Sequence, residues 1–106
     1  MQRVTLIDTF IDKMIKTFVQ SWLEDFWHNG KHKRVPPELV ARLLRKMDML
    51  NRAVDWKDLQ APPSNRLHTL HGDRHGQLAI SVSGAWRLCF RFAEGHIFDL
   101  ELVQYH

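Results

Sequence analysis

Residues 80–92 read ISVSGAWRLCFRF, two strand patterns joined by a short turn. Ile80 and Val82 alternate with serines, and Gly84 with Ala85 supplies the turn. From Trp86 onward apolar residues alternate with cationic or polar ones, and a period of two places successive side chains on opposite faces of a sheet. One face is predicted to carry Trp86, Leu88, Phe90 and Phe92, and the other to carry Arg87, Cys89 and Arg91.

The neighbouring segments extend this pattern into a meander. Glu94-Gly95 predicts a second turn, and the strand after it has an inward face of Phe98, Leu100 and Leu102 opposite Asp99 and Glu101. Upstream, β signals begin at Arg66, where Leu67 and Leu70 flank His68. The C-terminal half therefore predicts an antiparallel sheet of three or four strands.

Helical patterns precede the sheet. Ser21 followed by Glu24 reads as a capping box, and the helix ends near Asn29-Gly30. Pro36-Pro37 opens a second helix. Its apolar face is predicted to hold Leu39, Leu43, Met47 and Leu50, and its solvent side Arg42, Arg45, Lys46 and Asp48. Ile15 to Val19 is a short β-like segment, Trp56 and Leu59 are expected to pack under a short helical turn, and residues 1–13 form a short helix or a loose tail.

This order predicts an α+β fold, with two N-terminal helices on one face of a small, mostly antiparallel sheet and a polar face left open. The 106 residues fit one domain, and 44% are hydrophobic. No stretch reaches the roughly 18 apolar residues of a membrane helix, and the single cysteine, Cys89, suits a reducing cytoplasm. A net charge of +3 is compatible with a nucleic acid or an acidic protein as partner.

Four pieces of the chain, in order, resemble the HigB branch of the RelE-like bacterial toxins. They are Met14-Ile15-Lys16-Thr17-Phe18, the segment from Arg66 to Gly76, the strand from Trp86 to Phe92, and the terminal Tyr105-His106. The resemblance covers residues 14–106 and implies that residues 1–13 are an extension. It implies a microbial-ribonuclease-like fold and a toxin that cleaves messenger RNA in the ribosomal A site. It also implies neutralisation by a HigA-like helix-turn-helix antitoxin, through which alone the toxin would reach DNA.

Cleavage of RNA without a metal needs a base for the ribose 2′-OH, cations for the phosphorane and an acid for the 5′-oxygen. The resemblance points to Arg87 as the cation, and the alternative is a solvated arginine paired with Asp99 or Glu101. His68 is the family's histidine of the Arg-Leu-His segment, and an imidazole exchanges protons near neutral pH. Its alternative is a structural histidine held between leucines.

The terminal pair completes the predicted catalytic set. Tyr105 is suited to stack on a base or bind a phosphate, and His106 to exchange a proton. The alternative is a frayed chain end. His71, Arg74, Arg91 and Gln104 are the predicted RNA-binding residues. No metal or other cofactor is expected, because the chain has neither a zinc-ligand spacing nor a glycine-rich phosphate loop.

Two residues differ from the family pattern, and they leave a second interpretation of the function open. Gln104 stands where an aspartate is common, and an amide neither acts as a base nor orients an imidazole as a carboxylate does. His71 replaces a common lysine, so a permanent charge becomes pH-dependent. A catalytically weakened toxin that binds its antitoxin and regulates its operon is therefore the alternative. A gyrase-poisoning toxin of the related ParE type is disfavoured, because that type lacks the terminal Tyr-His.

Overall fold

Two helices and a four-stranded antiparallel sheet make up the protein in this computed structural model, which describes residues 15–105. The helices are α1 (Ser21–Asn29) and α2 (Val40–Arg52). The strands are β1 (His68–Thr69), β2 (Leu78–Ser83), β3 (Trp86–Ala93) and β4 (His96–Gln104), and they lie in sequence order. The predicted α+β architecture is confirmed. The predicted extension at residues 1–13 and the terminal His106 lie outside the described residues.

The core forms where the helices pack on one face of the sheet. Leu39, Leu43, Met47 and Leu50 are all buried, as the helical spacing predicts. From the sheet, Ile80, Leu88, Phe90 and Leu102 join the same cluster. Burying each such side chain stabilises the fold by about 1.5–3 kcal/mol. Within residues 15–105, no helix is both long and apolar enough to cross a membrane.

Lys46 corrects the prediction for the solvent side of α2. Its side chain is only 8% exposed, and its ammonium donates a hydrogen bond to Asn65 Oδ1. Burial lowers the pKa of Lys46, and the nearby positive charges of Arg45 and Arg42 lower it further. The prediction was wrong because Lys46 lies at the margin of the apolar stripe, where the loop carrying Asn65 folds over it.

The start of α1 differs from the predicted capping box. Ser21 is the first helical residue, and the N-cap position belongs to Gln20, which makes no side-chain cap. The Gln20 amide binds β4 instead, with Nε2 donating to the Leu102 carbonyl (3.0 Å) and Oε1 accepting from the Leu102 N–H (2.8 Å). The predicted end is confirmed, because Gly30 adopts a left-handed conformation (φ 81°) and its N–H donates to the Phe26 carbonyl.

A bulge in β4 changes one residue of the predicted inward face of that strand, while Leu100 and Leu102 are buried as predicted. Ile97 is buried rather than Phe98, which pairs with Arg91 on β3. The register shifts between Cys89 and Arg91, and Asp99 takes up the extra residue in a left-handed conformation (φ 55°). Strict alternation fails across such a bulge, so the sequence pattern assigned Phe98 to the wrong face.

The chain before α1 runs beside β4 without forming a regular strand. Ile15 and Phe18 make isolated parallel bridges to Ile97 and Leu100, so the β-like prediction for this segment holds only in part. After α2, residues Trp56–Gln60 form the expected short helical turn. Leu59 packs in the core, but Trp56 is 42% exposed, and its predicted packing was wrong.

Candidate active site

The face of the sheet away from the helices carries three of the four predicted catalytic residues, Arg87, His68 and Tyr105, and His106 lies outside the described residues. Cross-strand pairing links His68 to Ala79, Ala79 to Cys89 and Cys89 to Glu101, so these residues form one row. Ser81, Arg87 and Val103 form the next row. Because paired residues share a face, His68 and Arg87 project from the same side. Sheet spacings place their Cα atoms roughly 12 Å apart, within reach of one nucleotide and two long side chains.

Arg87 is anchored by the turn that precedes its strand. One Nη of Arg87 donates to the carbonyls of Gly84 (2.6 Å) and Trp86 (3.0 Å). The carboxylates considered as its partners lie elsewhere, since Glu101 pairs with Arg74 and Asp99 with Arg91. Among the described residues, Arg87 has no ion-pair partner. The remaining N–H groups of its guanidinium are therefore open to a phosphate.

Tyr105 is held against this face by three contacts. Its backbone N–H donates to the Ala85 carbonyl (2.9 Å), and its ring centroid lies 5.9 Å from Arg87 Cζ. Its hydroxyl lies 3.7 Å from Cys89 Sγ. The frayed-end alternative therefore does not hold for Tyr105. The ring remains 36% exposed, which leaves surface for a stacked base.

Cys89 lies beneath the tyrosine and is fully buried, although it belongs to the polar face. Burial raises the pKa of the Cys89 thiol above the ordinary 9.0, and only part of that effect is offset by the hydrogen bond to Tyr105. Burial and the contact with Cys89 likewise raise the pKa of the Tyr105 hydroxyl. A thiol that keeps its proton is a poor nucleophile, so the structure gives Cys89 a packing role.

The raised thiol pKa predicts a pH dependence of stability. Above pH 9.0 the unfolded thiol ionises while the folded thiol keeps its proton, so the free energy of unfolding should fall as the pH rises. The Cys89→Ala variant should lose less stability than wild type between about pH 8 and about pH 10. Urea unfolding at both pH values measures this difference, and identical losses in the two proteins would contradict it. The contribution from Lys46 is common to both proteins, whereas loss of the Cys89 contact also removes part of the rise in the Tyr105 pKa, which acts in the same direction.

His68 is exposed at the start of the sheet, and its ring is oriented by the backbone. Its Nδ1 lies 2.8 Å from the Arg66 carbonyl oxygen, a distance at which Nδ1–H donates. The neutral ring then has its lone pair on Nε2, where it can accept a proton from a bound substrate. The ring is exposed rather than held between leucines, so the structural alternative finds no support here, and the catalytic role of His68 stays a prediction.

In the structure, two of the four predicted RNA-binding residues are arginines paired with carboxylates, and the other two are exposed. Arg74 donates to Glu101 (2.9 Å) and to Gln77 (3.1 Å), and the hydrogen bond to Glu101 raises the pKa of Arg74. Arg91 lies 3.5 Å from Asp99 and crosses Gly76, where a Cβ atom would come within 2.8 Å of its guanidinium. His71 and Gln104 are exposed. The role of all four in binding RNA stays a prediction, and the two arginines are already partly neutralised.

Sequence reasoning missed two further arginines near Arg87. A cleft of about 340 Å³ beside Arg87 is also lined by Arg42 of α2 and by Arg66. Ser64, Ser81 and Ser83 supply hydroxyls to the same cleft. Ser81 and Ser83 alternate with apolar residues, but a register shift between them pairs Ser81 with Arg87 and Ser83 with Trp86, so the two serines border the cleft from opposite faces of β2. Nothing in the sequence signals Arg42, because its position depends on how α2 packs against β2.

Residues 16–106 match the family described as the RelE-like toxin of type II toxin–antitoxin system HigB. The chain belongs to the HigB family. Toxin HigB-1 from Vibrio cholerae serotype O1 is 35% identical over 83 residues, which cover 77% of this chain and 87% of that protein. Endoribonuclease HigB from Proteus vulgaris is 31% identical over 93 residues, which cover 88% of this chain and all of that protein (100%). The resemblance found in the sequence is thus confirmed.

The fold of this HigB-family chain is also found in a solved structure. The YoeB–YefM complex from Staphylococcus aureus matches with a TM-score of 0.54 and 15% identity, covering 87% of this chain and 97% of that one. At that identity the match concerns the fold alone. It agrees with the predicted RelE-like architecture of helices on one side of the sheet and an open face on the other.

The candidate site of this HigB-family chain has groups suited to proton transfer and charge stabilisation on one surface. In the part of the chain that the structure describes, no group of three His, Cys, Asp or Glu side chains is placed to hold a metal ion. What the face offers is a guanidinium with free donors, an oriented imidazole and a partly exposed phenol. Such a set is suited to a phosphodiester, whose oxygens accept from the guanidinium while the imidazole exchanges a proton.

Proposed function

We propose that this protein is a ribosome-dependent endoribonuclease that cleaves messenger RNA in the ribosomal A site and so inhibits translation. The Proteus vulgaris relative is named an endoribonuclease, and the whole length of that relative aligns with this chain. The observation that carries the proposal is the juxtaposition of Arg87, Tyr105 and His68 on one open face. The toxin domain would span residues 14–106, with residues 1–13 as an extension.

In the proposed reaction, a base removes the proton from the ribose 2′-OH and the 2′-oxygen attacks the adjacent phosphorus. The bond from phosphorus to the 5′-oxygen breaks, an acid protonates that oxygen, and a 2′,3′-cyclic phosphate remains. Arg87 stabilises the extra negative charge on the phosphorane. His68 Nε2 is the candidate base, because Nδ1 already carries its proton toward Arg66. His106 is the candidate acid from the sequence, and no step in the scheme uses a metal ion.

Tyr105 is proposed to position the substrate. Its exposed ring offers a stacking surface for a base unstacked from the messenger, an interaction worth about 1–3 kcal/mol. The same ring lies beside the Arg87 guanidinium, so a base stacked there brings its phosphate toward the cation. The hydroxyl contact with Cys89 fixes the angle of the ring. The tyrosine thus couples base binding to the position of the scissile bond.

A HigA-like helix-turn-helix antitoxin is the proposed partner in the cytoplasm. Family membership implies a cognate antitoxin, and the pair would repress its own operon, with DNA bound by the antitoxin alone. The ribosome is the second proposed partner. A protein with a net charge of +3 and cations on its open face is attracted to a polyanionic ribosome, and that attraction should weaken with salt.

The test is whether purified protein cleaves a messenger RNA under two conditions. The messenger is supplied either free or bound to ribosomes whose A site is empty. We expect cuts at codon-phased positions, read by primer extension, only in the ribosomal complex. Toxin treated with a chelator and dialysed before it meets the ribosome should cut equally well. Intact messenger in complexes that demonstrably hold folded protein would contradict the proposal. Induced expression should arrest growth, and a co-expressed HigA-like antitoxin should restore it.

A weakened toxin that serves mainly as an antitoxin-binding module is the second candidate, favoured by Gln104. This residue is exposed at the end of β4, one position before Tyr105. If the missing carboxylate limits catalysis, Gln104→Asp should raise the cleavage rate by at least about tenfold, because a carboxylate orients an imidazole and stabilises its cation. Gln104→Asn is the matched control and should behave as wild type. An unchanged rate in Gln104→Asp, alongside efficient wild-type cleavage, would remove this candidate.

A further inference from the structure

The arginines of residues 15–105 differ in whether they have an ion-pair partner. Arg52, Arg74 and Arg91 each pair with a carboxylate. Arg42, Arg66 and Arg87 have no ion-pair partner among residues 15–105, yet all three line the 340 Å³ cleft beside the candidate active site. No acidic side chain in the described part of the chain lines that cleft. Like charges gathered without a counter-charge are unfavourable unless an anion joins them.

The cleft continues along α2 as a groove. A second cleft of about 430 Å³ shares Arg42, Ser64 and Val82 with the first and adds the cations Arg45 and Lys46. Here too, no acidic side chain of residues 15–105 is part of the lining. The two clefts therefore adjoin at Arg42, Ser64 and Val82, and together they are called the cationic groove, which begins at Arg87 and extends to Arg45. Each has the volume of a ligand site, roughly 300–1,000 Å³.

Arg42 and the serines give the groove fixed donors. Arg42 Nη1 donates to Ser83 Oγ at 3.0 Å, which holds its guanidinium across the gap between α2 and β2. Its other N–H groups, and the hydroxyls of Ser64 and Ser81, remain available to the interior. Arginine forks and hydroxyls are the groups that bind phosphate oxygens irrespective of base sequence. A single strand can thus be held here by its backbone.

We propose that this groove binds the RNA backbone next to the scissile bond, with Arg42 and Arg66 on the phosphate adjacent to the one that Arg87 faces. The proposal rests on the proposed ribonuclease function and extends it. Arg87 belongs to both the catalytic face and the groove, so a strand in the groove is continuous with the reacting phosphodiester. An acidic peptide would also be attracted by the charges. The shared position of Arg87 favours the nucleic acid, because only a polyanion that passes the catalytic face makes use of it.

The test measures binding without cleavage. The probe is a fluorescent single-stranded RNA oligonucleotide with 2′-O-methyl groups, which has no 2′-OH to react. We expect Arg42→Gln to weaken its binding by about tenfold at low salt and to reduce the slope of log Kd against log salt by about 0.7, the value for one lost phosphate contact. The double variant Arg42→Gln/Arg66→Gln should lose more. Arg52→Gln, on the same helix but paired with Asp48, should change neither quantity.

Two outcomes would overturn the proposal. One is wild-type affinity and slope in both groove variants, with circular dichroism verifying the fold. The other is an equal loss in Arg52→Gln, which would mean that only net charge matters. Loss of antitoxin affinity alongside the first of these outcomes would assign the groove to the protein partner instead. Because the probe cannot be cut, a wild-type protein without ribonuclease activity would refute the proposed function and leave this binding result to stand on its own.

Discussion

Arg87→Ala should lower the rate of messenger cleavage by about 10²–10³-fold, the usual cost of removing one preorganised donor from a charged transition state. The guanidinium is fixed by the Gly84 and Trp86 carbonyls and has no ion-pair partner in the described residues. It is therefore ready for an anion without prior rearrangement. Single-turnover cleavage in ribosomal complexes measures the rate, and cells expressing the variant should grow normally.

Two further variants test whether the effect of Arg87→Ala comes specifically from the Arg87 guanidinium. Arg87→Lys keeps the charge but loses the fork, so it should recover only part of the rate. Arg52→Ala removes an exposed arginine paired with Asp48 on α2 and should cleave like wild type. Arg87→Ala protein that folds, binds ribosomes and cuts at the wild-type rate would show that another group stabilises the phosphorane.

The largest effect on stability is expected at Asn65, which is fully buried. Its amide accepts from Lys46 and donates to the Leu59 (3.0 Å) and Ala61 (3.3 Å) carbonyls. Asn65→Ala would leave a buried ammonium and buried carbonyls without partners, which should cost about 2–4 kcal/mol of the free energy of unfolding. For a domain of this size, the melting temperature should fall by roughly 10–20 °C.

A double-mutant cycle tests this explanation. In the background of Lys46→Met, which keeps the length of the side chain but removes its charge, Asn65→Ala should cost less than it does in wild type. Ser64→Ala, at the exposed neighbouring position, should change stability by under about 0.5 kcal/mol. Equal costs of Asn65→Ala in both backgrounds would mean that Lys46 does not depend on Asn65.

The sequence predicts the elements of this fold well because each carries a strong local pattern. The apolar stripe of α2 and the alternation in β3 identify their buried faces directly. Where the predictions fail, the cause is tertiary. Lys46 is buried only because a distant loop supplies Asn65, and Phe98 changes face only because β4 contains a bulge at Asp99. Neither the burial of Lys46 nor the bulge at Asp99 can be recognised from the local spacing of apolar residues.

In the candidate site, too, local sequence patterns identify some residues, and tertiary packing brings in the others. Arg87, His68 and Tyr105 were found through motifs, since each lies in a segment that the family shares. Arg42 and Arg66 reach the cleft from a helix and a loop that are distant in sequence from β3. Their charges look like ordinary solvent-facing residues until the packing of α2 against the sheet is known. Ion pairs are equally invisible in sequence, and they separate Arg74 and Arg91 from the unpaired arginines.

The two hydrogen bonds between Gln20 and Leu102 join residues 82 positions apart, and this separation affects when the toxin folds during its synthesis. Contacts of such long range form late, because the intervening chain must first be ordered. During synthesis, Gln20 can form these hydrogen bonds only after β4 has left the exit tunnel of the ribosome. Tyr105 leaves the tunnel later than Leu102. The candidate catalytic face is therefore expected to assemble only once Tyr105 has left the tunnel. Under the proposed function, a growing chain should be inactive until then, which gives an antitoxin time to bind before activity begins.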